Sequence, residues 1–115
     1  MAGVADLLDQ LALLVARAER SVQDRSFEEL VENEEAFDAL TYRLAMIGET
    51  SKKLSMDIKT RHPALPWREM ATFRNFASHD YFGIDAHLVW QAANNLEAIK
   101  AMVTVEAARL AGDER

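Results

Sequence analysis

Glu34-Glu-Ala-Phe37-Asp-Ala-Leu40-Thr-Tyr-Arg-Leu44-Ala-Met-Ile47-Gly-Glu-Thr-Ser51-Lys-Lys-Leu54-Ser-Met-Asp-Ile58 sets Phe37, Leu40, Leu44, Ile47, Ser51, Leu54 and Ile58 at intervals of three and four. Such intervals return side chains to one face of a helix, so the spacing predicts one long helix from Glu34. It should stop before His62, because the residue preceding Pro63 is disfavoured in the α region. Upstream, Val4, Leu7, Leu8, Leu11, Leu14, Val15, Ala18 and Val22 repeat the pattern and predict a first helix. Ser26-Phe27-Glu28-Glu29 has the serine-to-glutamate spacing of a capping box, which begins a short additional helix. Downstream, Pro63-Ala64-Leu65-Pro66 is a connection, and Pro66 suits the first turn of a helix holding Trp67, Met70, Phe73 and Ala77 and ending before Gly83. Asp85 suits the N-cap of a last helix with the stripe Leu88, Val89, Ala92, Leu96, Ile99, Val103 and Leu110. Ala111-Gly-Asp-Glu-Arg115 reads as a frayed tail.

The fold class is therefore all-α: an antiparallel four-helix bundle with an additional short helix, forming a single domain over residues 1–115. Helices this long in so short a chain make a thin bundle with a modest core. A helix face is left for a second copy, so a homodimer is expected.

Half of the 115 residues are hydrophobic and none is cysteine, which removes disulfides, zinc–thiolate sites and thiol nucleophiles. The longest apolar run, Leu11 to Ala16, is far below the ~20 residues of a membrane span. No basic stretch precedes it, so no signal peptide is read and a cytoplasmic protein off the membrane is expected. A net charge of -6 opposes generic nucleic-acid binding. Its distribution is uneven: residues 1–38 carry -7, residues 39–82 carry +3 and residues 83–115 carry -2. An anionic substrate belongs in the middle segment.

Most catalytic signatures are missing. The glycines at 3, 48, 83 and 112 form no phosphate loop, and His62, His79 and His87 lack metal-ligand spacing. No metal and no cofactor are expected. The acidic run Glu28, Glu29, Glu32, Glu34, Glu35, Asp38 reads as a solvated face favoured by the helix dipole. Lys52, Lys53, Lys59 and Arg61 are either guides for RNA or, more simply, solvated charge, and Trp67, Phe73 and Trp90 read as core rather than base-stacking platforms. Arg74-Asn-Phe-Ala-Ser-His79-Asp80-Tyr81 resists so plain an account, since it gathers six kinds of polar group into eight residues. On an ideal helix Arg74 and His79 stand ~140° apart. They converge if the helix ends near Ser78 and the chain turns back, or across a dimer axis. From the residues alone the cluster reads first as a helix-terminal hydrogen-bond group.

The spacing of Arg74, His79 and Tyr81 resembles the arginine–histidine–tyrosine signature of the HepT-like toxins in the HEPN superfamily. Ser26-Phe27-Glu28-Glu29-Leu30 is similar to that family's early acidic segment. Ile47-Gly48-Glu49 with Lys52-Lys53-Leu54 resembles its long-helix motif, Pro63-Ala-Leu-Pro66-Trp67-Arg68 its Pro-x-x-Pro-Trp element, and Tyr81-Phe82-Gly83 continues the signature. The resemblance spans about residues 24–103. It implies a HEPN-like, dimerising helical fold and a ribonuclease toxin of a prokaryotic type VII toxin–antitoxin system. The implied partners are an RNA substrate and a nucleotidyltransferase-fold antitoxin, which adenylylates the signature tyrosine in some members. Arginine and histidine from both subunits form the cleft in the superfamily.

The residue types suit that chemistry. Metal-free RNA cleavage needs a base for the 2′-hydroxyl, charge stabilisation at phosphorus and an acid for the leaving oxygen. An imidazole, titrating near ~6.5, serves for proton transfer, and a guanidinium offers a cationic fork for phosphate oxygens. Arg74 and His79 are thus the catalytic candidates. Asn75 is either a phosphate contact or a capping amide, and Asp80 either a partner of His79 or a solvated carboxylate. Glu49, beside the small Gly48, either approaches the cleft or makes an interior salt bridge. Tyr81 is either the modification site, as O-AMP-tyrosine, or a packed aromatic. The alternative function is a non-catalytic HEPN partner or substrate-binding subunit of a nucleotidyltransferase. Such relatives generally lack the arginine–histidine pair, which favours the enzyme. A blander third reading is a dimeric scaffold.

Overall fold

A computed structural model describes residues 3–113 as helices α1 (Val4–Val22), α2 (Phe27–Glu32), α3 (Glu34–Lys52), α4 (Met56–Arg61), α5 (Trp67–His79), α6 (Ala86–Ala93) and α7 (Glu97–Asp113), with a 3-10 turn at Tyr81–Gly83. No strand occurs among the described residues. α3 lies between α1 and α5, and α1 also packs on α7. α5 runs antiparallel to α3: its Met70 and Arg74 lie beside Gly48, while Tyr81, seven residues beyond Arg74, reaches back to Asp38. The body measures 49 × 29 × 26 Å, a tall and narrow shape. No helix among the described residues is long and apolar enough to cross a membrane.

The starts of the helices follow local chemistry. Ser26 Oγ accepts from the Glu29 N–H at 3.1 Å while Glu29 Oε1 accepts from the Ser26 N–H at 3.0 Å, closing the capping box of α2. Asp85 Oδ1 accepts from the His87 N–H at 2.9 Å and caps α6. Asp24, at φ 61°, takes the left-handed conformation that short polar residues tolerate and reverses the chain after α1. Pro66 sits at the N-cap of α5, one residue before the first turn where it was expected.

Two helices expected to be continuous are broken. The long helix from Glu34 ends at Lys52, where the Lys53 and Leu54 N–H groups bond to carbonyls three residues back and tighten the turn. Ser55 Oγ then accepts from the Ile58 N–H at 3.3 Å and starts α4, which keeps both Leu54 and Ile58 buried. The last helix breaks at Asn94-Asn95, whose side-chain amides donate to the Trp90 and Gln91 carbonyls at 2.8 and 2.7 Å. The break changes the face presented: Leu96 is buried, but Leu88, expected on the same stripe, is exposed. α7 continues through Asp113, so residues 111–113 of the expected tail are helical and 114–115 lie outside the described residues.

The core gathers Leu8, Leu11 and Val15 from α1, Leu40, Leu44 and Ile47 from α3, Val89 from α6, and Ile99 and Met102 from α7. Trp67, Phe73 and Trp90 pack half-buried against it. Arg43 ties α3 to α1 by donating to Ser21 Oγ at 2.9 Å and the Arg17 carbonyl at 3.1 Å.

One acid enters the interior. Glu106 of α7 is only 4% exposed, and its carboxylate accepts from Arg61 Nε (3.1 Å) and Nη2 (2.6 Å) and lies 2.7 Å from His62 Nε2. Arg61 is therefore a structural partner rather than a solvated cation. The Arg61 bonds, with His62, hold the Glu106 carboxyl at about 2, below its ordinary 4.5. A carboxyl depressed in this way stabilises the fold above its unfolded value, and that contribution fades as pH falls from 4.5 toward 2. Glu106→Ala should cost about 1–3 kcal/mol at neutral pH, since it strips charged hydrogen bonds. Glu106→Gln should flatten the loss of stability between pH 4.5 and 2, which denaturant midpoints across that range will show.

Candidate active site

Gly48 is where the site begins. A Cβ at this buried position would collide with the Met70 carbonyl oxygen and lie 3.1 Å from its carbon. Glycine thus lets the α5 backbone press against α3, and the contact brings Arg74 alongside Glu49. Arg74 Nε stands 2.9 Å from Glu49 Oε2, with the two side chains 35% and 30% exposed. Nε makes no aligned hydrogen bond, so the pair is an ion contact that orients the guanidinium while its other N–H donors can serve a phosphate. Glu49 is thus a salt-bridge partner of Arg74, and a partly exposed rather than an interior one.

His79 is the last residue of α5, and its exposed side chain makes no hydrogen bond or ion pair among the described residues. The helix is regular through this residue, so no turn at Ser78 folds it back toward Arg74. Within one chain the two stand ~140° apart around the helix axis. Asn75 is exposed. Asp80 caps the helix, its N–H bonding to the Phe76 carbonyl at 2.8 Å. Its carboxylate folds over the Cα of Gly83, where any side chain would strike it, and makes no hydrogen bond to His79.

Tyr81 turns inward. Its hydroxyl donates to Asp38 Oδ1 on α3, with the Thr41 hydroxyl close by. Burial and the Asp38 carboxylate push the phenol up to about 12. Asp38 and Glu49 are eleven residues apart on α3, so the anchorage of Tyr81 lies ~16 Å along the helix from that of Arg74. Asp38 is therefore not simply one more solvated acid of the run from Glu28: it holds the signature tyrosine. The other acids of that run are exposed, and no group of three or more His, Asp or Glu among the described residues is placed to hold a metal ion.

Residues 11–105 match the family described as Ribonuclease HepT-like. The chain belongs to the HepT-like ribonuclease family. A Thermococcus cleftensis protein named "Probable ribonuclease HepT" is 35% identical over 86 residues, 75% of this chain and 78% of its own length. A Methanocaldococcus jannaschii protein with a provisional RNase name is 37% identical over 71 residues, covering 62% of this chain and 61% of that protein. A third, from Caldanaerobacter subterraneus subsp. tengcongensis and also provisionally named an RNase, is 31% identical over 85 residues, 74% of this chain and 72% of its own. No solved structure matches the chain. Arg74, His79, Tyr81, Asp38 and Glu49 all fall inside the stretch matched to the HepT-like family.

Proposed function

We propose that this HepT-like protein is a metal-independent endoribonuclease, the toxin of a prokaryotic type VII toxin–antitoxin pair, and that its homodimer cleaves RNA between Arg74 of one chain and His79 of the other. The supporting observation is that one regular helix carries both groups on different faces. A single phosphate meets both when a second copy supplies one of them. The surface of α5 suits such a contact. None of its residues is fully buried although it carries Trp67, Met70, Phe73 and Phe76. Phe76 is 53% exposed, and Phe82 in the following turn is 99% exposed. Apolar surface of this kind beside a polar cluster favours a partner.

His79 takes the 2′-hydroxyl proton as that oxygen attacks phosphorus. Arg74, oriented by Glu49, donates to the phosphate oxygens as negative charge gathers there. Water supplies the proton to the leaving 5′-oxygen, and the products are a 2′,3′-cyclic phosphate and a 5′-hydroxyl. Asn75, next to Arg74, is a further phosphate contact, and Asp80 shapes the turn that follows His79. A nucleotidyltransferase-fold antitoxin silences the protein by adenylylating Tyr81. The added AMP puts charge and bulk two residues from His79, and it replaces the proton that Tyr81 donates to Asp38, so repulsion and a loosened corner act together.

Purified protein should cleave single-stranded RNA with excess EDTA present and leave 2′,3′-cyclic phosphate ends, as read by mass, by resistance of the 3′ ends to polyadenylation, and by direct kinase labelling of the new 5′-hydroxyl ends. Cleavage that appears only on adding a divalent metal would contradict the scheme. Sedimentation at micromolar concentration should give a dimer; a monomer would remove the shared site.

A further inference from the structure

We infer that Asp38 is the proton acceptor for nucleotidyl transfer to Tyr81, so that the protein carries the general base for its own modification. The inference rests on reading Tyr81 as the acceptor and adds the residue that makes it reactive. Tyr81 Oη donates to Asp38 Oδ1 across 43 residues of chain, so α3 and the turn after α5 bring a nucleophile and a carboxylate together. A nucleophile hydrogen-bonded to a base is the arrangement that activates hydroxyl groups generally. Asp38 is exposed, and the pair lies where an incoming nucleotide can reach it.

The phenol cannot act as a preformed phenolate. With the hydroxyl held at about 12, roughly one molecule in 10⁵ is ionised at pH 7. Its proton must leave as the new bond forms. The groups against the hydroxyl are Asp38 and Thr41, and a neutral hydroxyl is far the weaker base. In the step, Tyr81 Oη attacks the α-phosphorus of a nucleoside triphosphate brought by the partner. The Oη–P bond forms, the bond from the α-phosphorus to the bridging oxygen breaks, the proton passes to the Asp38 carboxylate, and pyrophosphate is the leaving group.

An anchoring bond would need only an acceptor, which separates this role from a structural one. Asp38→Asn keeps an acceptor oxygen but cannot take the proton. With magnesium ATP and the nucleotidyltransferase-fold antitoxin proposed as partner, the mass of the Tyr81 peptide should rise in wild-type protein. The rate should fall about 100-fold or more in Asp38→Asn at pH 7 and stay within tenfold of wild type in Asp38→Glu. In Asp38→Asn the remaining rate should climb tenfold per pH unit as hydroxide takes over, while the wild-type rate stays flat. Wild-type rates in Asp38→Asn would overturn the inference and leave Tyr81 as acceptor. An equal, pH-independent loss in the Asn and Glu variants would overturn it in favour of anchoring. Unmodified wild-type protein, or modification that persists in Tyr81→Phe, would overturn the underlying reading and the inference with it.

Discussion

Replacing His79 by alanine is expected to slow RNA cleavage by about 10²–10⁴-fold, the range for losing a positioned general base. The side chain is exposed at the end of α5 and makes no bond among the described residues, so its removal takes away chemistry and little else. Stability should change by no more than about 0.5 kcal/mol, as for other surface substitutions. Arg74→Ala should cost about 10²–10³-fold, as for loss of one charge-stabilising group, and leave Glu49 to water. Arg74→Lys should recover only part of the rate, because an ammonium lacks the fork that grips two phosphate oxygens. Initial rates on an end-labelled oligoribonucleotide, with circular dichroism of each variant, provide the check. Full activity in His79→Ala would remove the imidazole from the mechanism.

Gly48→Ala should have the largest effect on stability. Alanine is the better helix former by about 1 kcal/mol, so on propensity alone the change would help. The new methyl group, however, meets the Met70 carbonyl, a backbone group that cannot rotate aside. α5 must move off α3, and overpacking of this kind costs about 1–3 kcal/mol or somewhat more. The steric term therefore wins. The same movement draws Arg74 from Glu49, so cleavage should fall by about tenfold in folded protein, the equivalent of ~1.4 kcal/mol in the barrier. Gly112→Ala is the matched control: it adds the same methyl group to a helix where nothing lies within 4 Å. It should be neutral or stabilising by up to about 1 kcal/mol. If denaturant midpoints place Gly48→Ala level with wild type, the close approach of α5 to α3 is wrong.

Much of the fold is legible because it is local. The stripes of α1 and α3 follow from helical spacing, and the caps at Ser26 and Asp85 follow from side chains that bond within three residues. The breaks at Lys53 and Asn94 also have local causes, yet the apolar periodicity carries through them and hides them. The Asn94-Asn95 pair was the available warning. Glu106 carried a signal too: it falls three residues after Val103 and four before Leu110, on the apolar stripe where an acid demands buried partners.

The candidate site was legible only in its parts. Arg74 and His79 are conspicuous by residue type, and Gly48 beside Glu49 hinted at a close helix contact. The Tyr81–Asp38 bond spans 43 residues and depends on the antiparallel register of α5 on α3, which no local pattern specifies. Thr41, buried one turn after Asp38 among Leu40 and Leu44, marks the face on which the tyrosine lands. Asp38 was hidden by its neighbours, because five exposed glutamates before it made solvation the simplest account.

The shared site is tested most directly by complementation between two inactive variants. Arg74→Ala and His79→Ala chains, co-expressed with different tags and purified through both, give dimers with one chain of each kind. If each site takes Arg74 from one chain and His79 from the other, one of the two sites in every such dimer is intact, and about half of the wild-type rate should return. If Arg74 and His79 of the same chain work together, neither site is complete. A mixed dimer no more active than either parent would then contradict the account.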